Sequence, residues 1–381
     1  MTHPRLEYLL VACLAAAVTF VLTPVAQRAA VSWGAVAKPR DRDVHAVAIP
    51  RMGGTAIFAG IGVALFVASR LPALKESFGN GPEMGWVVVA AAMLCLLGMI
   101  DDRVELDSIT KLAGQVLSCG VMVTLGGVQV GAVGVPWSGS TFVFGRDLAI
   151  PVTILFTVLT INAMNFIDGL DGLAAGVTVI SAVAVFAFSY HLSEGLNFLQ
   201  LAAPPLLLSA VLAGACAGFL PHNFFPARIF MGDSGSMVVG MLLSATTVTA
   251  TTTTDPQAFG GTFSSLPLFL PLLIPVAVLA LPFVDLVLAV IRRVSRGRSP
   301  FAPDKQHLHH RLLELGHSQR RAVLLLYFWS AIVAFAGVGL TYEKRGWVVV
   351  GALLALAVVG LTLSAVPALR GRFRRHRVRQ G

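Results

Sequence analysis

Charge is the scarcest property of this sequence. Of its 381 residues only 12% are Asp, Glu, Lys or Arg, while 56% are hydrophobic. A soluble domain carries about 25% charged and about 45–50% apolar residues. The deficit excludes a water-soluble globular chain. Cysteine is nearly as scarce: Cys13, Cys95, Cys119 and Cys216 all fall in apolar runs without CxxC spacing. That excludes a disulfide framework or a zinc site and leaves the expectation of small buried residues. Nucleotide motifs are missing as well, since neither GxxxxGK[ST] nor GxGxxG after a strand occurs, so ATP use is not supported. No internal repeat is visible.

What is present is membrane helix. A spanning helix needs about 20 mostly apolar residues. About eleven runs qualify, at roughly 6–27, 53–69, 84–100, 110–127, 148–164, 171–190, 200–220, 235–253, 266–290, 322–340 and 347–366. They predict an all-α polytopic membrane protein, one integral membrane domain over 1–381, with no room for a soluble domain. The first run has only Arg5 before it and Arg28 after it, so it is expected to be a retained span rather than a signal peptide. Segment 128–147, outside the spans, is expected to form a short β-hairpin.

Basic residues orient the chain. Only Arg5, Arg70, Lys75, Arg146, Lys344 and Arg345 of the 28 Lys and Arg lie on one side. The rest lie on the other, which is therefore expected to be cytoplasmic, with the N-terminus out and the C-terminus in. The basic tail at 367–381 reads as a topology anchor touching anionic lipid, not as a nucleic-acid site.

Five unusual segments all fall on that cytoplasmic side. "RDRDVHAVAIPRMGG" (40–54) enters the second span, where glycines permit close backbone approach and a helix N-terminus offers N–H groups to an anion. "GMIDDRVELDS" (98–108) places Asp101 and Asp102 at a helix C-terminus, against the dipole and against each other. "NAMNFIDGLDGLAAG" (162–176) carries Asp168 and Asp171 three apart, on one face if the sixth span starts there. A calcium loop starting at Asp168 would need Glu where Val179 stands. "FFPARIFMGDSGS" (224–236) opens a helix at Asp233, and no protease-like β-domain exists to make Ser234 a nucleophile. "RRVSRGRSPFAPDKQHLHHRLLELGHSQRR" (292–321), a His/Arg-rich loop, crowds His307, His309, His310 and Arg311 together without the spacing of a zinc site.

Asp101, Asp102, Asp168, Asp171 and Asp233 cannot share a low-dielectric edge without a cation. Mg²⁺ takes one or two carboxylates plus waters and substrate phosphates. Opposite them, imidazole and guanidinium groups suit phosphate. Acids, a hard cation and an anion clamp are the parts of a phosphoryl transferase, with a lipid phosphate as one substrate. An ion-coupled transporter is the competing class; its sites tend to lie near the bilayer midplane, where only Asp285 fits.

Together, "PRMGG", "DDRVELDS", "NAMNFIDGLDGLAAG", "FMGDSGS" and "HLHHRLLELG" resemble the polyprenyl-phosphate N-acetylhexosamine-1-phosphate transferases, in order from about residue 38 to 321. The His-Leu-His-His pattern and the eleven spans place the resemblance on the WecA/TagO-like side. The alternative is the MraY-like side, which transfers phospho-MurNAc-pentapeptide for peptidoglycan. The resemblance implies transfer of GlcNAc-1-phosphate from UDP-GlcNAc to undecaprenyl or decaprenyl phosphate, with release of UMP. This would be the first membrane step of cell-envelope polysaccharide synthesis at the bacterial inner membrane. It implies Mg²⁺, replaceable by Mn²⁺, and is compatible with a homodimer. By resemblance Asp101 or Asp102 deprotonates the lipid phosphate, Asn165 and Asp168 lie near metal and diphosphate, and Asp171 reads the uracil. Asp233 holds the metal, His307, His309, His310 and Arg311 bind substrate phosphates, and Arg42 and His45 belong to the first-loop signature. Where that signature often has Asp-x-Pro and Arg-Lys, this chain has Lys38-Pro39 and Arg42-Asp43.

Overall fold

A computed structural model describes residues 4–37, 48–78, 83–134, 141–196, 203–252 and 318–339, plus helical positions 295, 348, 351–353 and 355–356. The expected span at 266–290 lies outside the described residues, and 347–366 largely so.

Among the described residues the helices are α1 (Pro4–Trp33), α2 (Gly53–Ala68), α3 (Glu83–Val104), α4 (Ser108–Thr124), α5 (Arg146–Ile167), α6 (Leu173–Leu196), α7 (Ala203–Asn223), α8 (Asp233–Thr252) and α9 (Gln319–Gly339). Seven are long and apolar enough to cross a membrane; α2, with 16 residues, and α4, with 17, are shorter. At about 1.5 Å rise per residue they fall short of a hydrocarbon core of about 30 Å. Both starts are pinned. The α2 start is held by backbone bonds from Gly53 N to Phe230 O and Gly54 N to Met231 O. Asp107 caps α4, accepting the N–H groups of Ile109 and Thr110 at 3.0 Å each. The Thr110 hydroxyl, which also donates to Asp107, holds that carboxyl below the usual range.

The helices alternate in direction. Asn165, Ile161 and Thr157 of α5 meet Ser236, Gly240 and Ser244 of α8, an antiparallel pairing. Ala12 and Ala16 of α1 meet Gly214 and Gly218 of α7, a parallel one. The ends of α1, α3, α5 and α7 and the starts of α2, α4, α6, α8 and α9 therefore gather at one edge. Every described acid of the five segments lies there.

The first turn off the bundle explains how "PRMGG" reaches that edge. Gly34, at φ +79°, ends α1, with Ala35 N on Ala30 O and Gly34 N on Val31 O. Val36–Ala37 (β1) then pairs antiparallel with Ile49–Pro50 (β2), and Phe230 N bonds Pro50 O at 2.8 Å. The expected outer hairpin forms from Ala132–Gly134 (β3) and Thr141–Val143 (β4). Cys95, Cys119 and Cys216 are buried and free, as expected of small core residues. Cys13 departs from that expectation: it is free and exposed on the outer face of α1.

Candidate active site

The GDSG turn is the hub of the site. Its backbone is packed so closely that neighbouring elements have no room for a Cβ. One added at Gly54 would stand 2.0 Å from Gly235 N, and one at Gly98 would stand 2.3 Å from Ser234 N. The glycines of "PRMGG" and "GMIDD" thus let α2 and α3 touch the start of α8.

Asp102, at the end of α3, caps α8 from outside. Its Oδ1 accepts the Asp233 N–H at 2.8 Å and its Oδ2 accepts the Ser234 N–H at 3.2 Å. An anion suits this place, where N–H groups are unpaired and the helix dipole is positive. Asp101 is used differently. Its Oδ1 accepts the Leu106 N–H at 2.7 Å, and its Oδ2 lies 2.5 Å from Lys111 Nζ. The same ammonium reaches Asp233 Oδ2 at 2.6 Å. The other Asp233 oxygen accepts Asn165 Nδ2 at 2.6 Å, and Asn165 also donates to Ser236 Oγ at 3.0 Å. Asn162 is not part of this group: it ties α5 to α4 through Gln115 Oε1 at 2.8 Å.

Asp168 follows the last turn of α5, its N–H donating to Met164 O at 3.2 Å, and the Gly232 N–H favours its ionised form. Burial of its carboxyl, reinforced by the charges of Asp233 and Asp102, raises its pKa well above the usual carboxylate range.

The expectation that Asp168 and Asp171 share a helix face is corrected here. Helix α6 starts only at Leu173, so both aspartates lie in the connecting turn, and Gly172 takes φ +79°. The two carboxylates diverge. Asp171 is 3% exposed and accepts the Ala227 N–H at 2.9 Å. Beside it Asn223 accepts Gly172 N–H and donates to Ile229 O, each at 3.0 Å. Tyr327 of α9 donates to Gly172 O at 2.5 Å. Asp171 thus anchors the 224–228 turn next to the acid group and does not belong to it.

Arg42, His45, His307, His309, His310 and Arg311 lie outside the described residues. Lys111 is the functional candidate that sequence reasoning missed, because it was counted only as a topology charge. A signal was available. Lys111 stands in the first turn of α4, where a cation opposes the helix dipole. Only nearby carboxylates justify it there.

Glu105 holds the geometry of Asp101. It takes φ +55°, and so turns the Leu106 N–H toward Asp101. This left-handed conformation costs a non-glycine residue about 1 kcal/mol. Its ion pair with Arg51 is long, at 3.9 Å, with the Glu105 side chain 64% exposed, and offsets little of that. Glu105→Gly relieves that cost but adds about 0.4–1 kcal/mol of unfolded-chain entropy, so thermal stability is expected to hold within about 0.6 kcal/mol of the parent without loss of activity; a thermal melt and a rate assay check both.

Among the described residues four carboxylates, Asp101, Asp102, Asp168 and Asp233, share this edge with one close ammonium, Lys111. No group of three or more potential metal-binding side chains is preassembled among the described residues. The carboxylates of Asp168 and Asp233 are hard oxygen donors of the kind Mg²⁺ takes.

Comparison with known proteins agrees with this chemistry. A family model described as Glycosyl transferase family 4 matches residues 84–251, the stretch from α3 through α8 that carries Asp101, Asp102, Asp168, Asp171 and Asp233. A "Decaprenyl-phosphate N-acetylglucosaminephosphotransferase" of Mycolicibacterium smegmatis is 45% identical over 370 residues, 96% of this chain and 90% of the relative. The protein of the same name from Mycobacterium tuberculosis (strain H37Rv) is 46% identical over 369 residues, with 96% and 90% covered. That from Mycobacterium leprae is 45% identical over 373 residues, with 97% and 92% covered. With that identity along nearly its whole length, the chain belongs to glycosyl transferase family 4.

Proposed function

We propose that this protein transfers GlcNAc-1-phosphate from UDP-GlcNAc to a polyprenyl phosphate, giving polyprenyl-diphosphate-GlcNAc and UMP. The acceptor we propose is decaprenyl phosphate, the lipid in the names of the three relatives. The observation that carries the reading is the Lys111 bridge between Asp101 and Asp233, flanked by Asp168. It gathers carboxylates that suit a hard cation and an ammonium that suits phosphate at one edge of a membrane bundle. By the distribution of basic residues that edge is cytoplasmic, in an inner-membrane protein of about eleven spans.

The division of labour follows from which oxygens are committed. Asp102 spends both oxygens on backbone N–H groups, so its role is to hold the α8 start. Asp101 spends one oxygen on the Leu106 N–H and the other on the Lys111 ammonium, a partner that an incoming phosphate can draw away, and is assigned as the base of the pair. The lipid phosphate, with a second pKa of about 6, is already largely dianionic at neutral pH, and Asp101 completes its deprotonation. A lipid-phosphate oxygen then attacks the β-phosphorus of the UDP-sugar in line. The bond to the UMP oxygen breaks and UMP leaves with that electron pair. Lys111, released from its carboxylates by the incoming diphosphate, is placed to stabilise the charge on the leaving group. Mg²⁺, when bound at Asp233 and Asp168, supplies further neutralisation of the diphosphate. Asp171 and the 224–228 turn hold the nucleotide, beside the reacting centre. His307, His309, His310 and Arg311, with Arg42 and His45, are assigned to substrate phosphates on resemblance.

Purified protein given labelled UDP-GlcNAc, UDP-GalNAc or UDP-MurNAc-pentapeptide with C50 or C55 lipid phosphate tests the assignment. UDP-GlcNAc with the C50 lipid is expected to give the fastest lipid product. Asp233→Asn is expected to lower that rate at least about 10²-fold, the scale of removing one group that stabilises developing charge. Preference for the pentapeptide donor, or full activity of Asp233→Asn, would overturn the reading.

A further inference from the structure

One buried histidine is unexplained by the chemistry above. Pro24 sits inside α1 and has no N–H, so the carbonyl of Phe20, four residues earlier, loses its helical donor. His222 Nε2, in the last turn of α7, lies 3.1 Å from that carbonyl oxygen, and the two rings pack with centroids 4.7 Å apart. A carbonyl only accepts, so Nε2 carries the hydrogen. His222 is 9% exposed.

The helix pair makes this contact possible. A Cβ at Gly214 or Gly218 would stand 2.1 Å from the carbonyl oxygen of Ala12 or Ala16, respectively. The two backbones therefore touch along a small-residue stripe. The next step of four residues on each helix brings His222 to Phe20, where a side-chain donor replaces the glycine contact.

His222 leads directly into the nucleotide side of the site. Its own carbonyl accepts the Arg228 N–H at 2.9 Å, and Arg228 O accepts Gln27 Nε2 of α1 at 3.1 Å. The next residue is Asn223, which holds Gly172 and Ile229. Between them the 224–228 turn presents Ala227 N–H to Asp171.

We infer that His222 is a positioning residue: its Nε2–H closes the carbonyl that Pro24 leaves open and so fixes the turn that orders Asp171 for the nucleotide. The functional part rests on the proposed role of Asp171; the hydrogen bond itself does not.

The test uses His222→Phe, which keeps a ring against Phe20 but lacks the donor, His222→Gln, which replaces the donor, and Pro24→Ala, which returns an N–H to Phe20 O. His222→Phe is expected to lower the thermal midpoint and to raise KM for UDP-GlcNAc about fivefold, with kcat changed less than about twofold. This is the pattern of lost ground-state binding. His222→Gln restores KM, and Pro24→Ala removes most of the stability loss caused by His222→Phe. If His222→Phe does not fold, Pro24→Ala combined with it is expected to fold. An unchanged KM in His222→Phe, or equal loss in the presence and absence of Pro24, overturns the inference. The stability cycle needs no turnover, so a wild-type protein inactive on UDP-GlcNAc would defeat the functional reading while the cycle still reads the bond.

Discussion

Asp168→Asn is expected to make the metal-free protein more stable at neutral pH while lowering transfer at least about 10²-fold. Burial and the charges of Asp233 and Asp102 raise the pKa of Asp168 in the folded state. A carboxyl with a raised folded pKa binds its proton more tightly folded than unfolded. The folded state is therefore favoured at low pH, and its advantage is lost as pH rises from the ordinary carboxylate range through the raised value. At neutral pH the ionised group costs stability until a cation compensates. Asparagine keeps the side chain's size and an acceptor oxygen and carries no charge. In chelator the variant should melt above the parent at neutral pH, and the gap should close as pH falls and the parent's Asp168 takes up its proton. Added Mg²⁺ should raise the parent's midpoint more than the variant's. A variant that melts lower than the parent at neutral pH without metal would contradict the electrostatic account of this group.

Gly54→Ala should be as damaging by a wholly steric route. Its new Cβ would stand 2.0 Å from Gly235 N, and that neighbour is backbone, not the end of a flexible side chain. Overpacking of this kind costs about 1–3 kcal/mol, occasionally more. Here the strain falls on the turn that carries Asp233. A displacement of about 1 Å at a reacting centre costs about 10²-fold in rate, so activity should fall at least that far. A Cβ added at Gly62 in the same helix would meet nothing within 4 Å. Gly62→Ala should leave activity intact and stability equal or up to about 1 kcal/mol higher, from helix propensity alone. Comparable losses in both variants would show that the close approach at Gly54 is not what matters.

How much of this was legible beforehand differs by element. The helical class and most helix positions follow from run length and apolar composition, because the bilayer requires both. The gathering of Asp101, Asp102, Asp168 and Asp233 was legible as well, since alternating spans return to one side and these acids sit at that side's ends. The roles within the group were not. Which of Asp101 and Asp102 caps the start of α8 depends on whose oxygens meet its N–H groups, a relation between residues 131 positions apart. Asp168 and Asp171 looked like one helix face because their spacing matches a helical turn, and the Gly172 turn sends them apart. Lys111 looked like one more orienting charge because the bridge it makes from Asp101 to Asp233 joins residues far apart in the chain, Asp233 lying 122 positions from it. The "PRMGG" glycines read correctly as a place of close approach, but what approaches is the protein's own GDSG turn.

The central claim is that the β-phosphate travels with the sugar. UDP-GlcNAc labelled with ³²P at either the α or the β position, incubated with the purified protein, Mg²⁺ and decaprenyl phosphate, reads it directly. The account predicts that β-label moves into the extractable lipid while α-label stays in the aqueous phase as UMP. Aqueous β-label in UDP, with GlcNAc alone on the lipid, would contradict it.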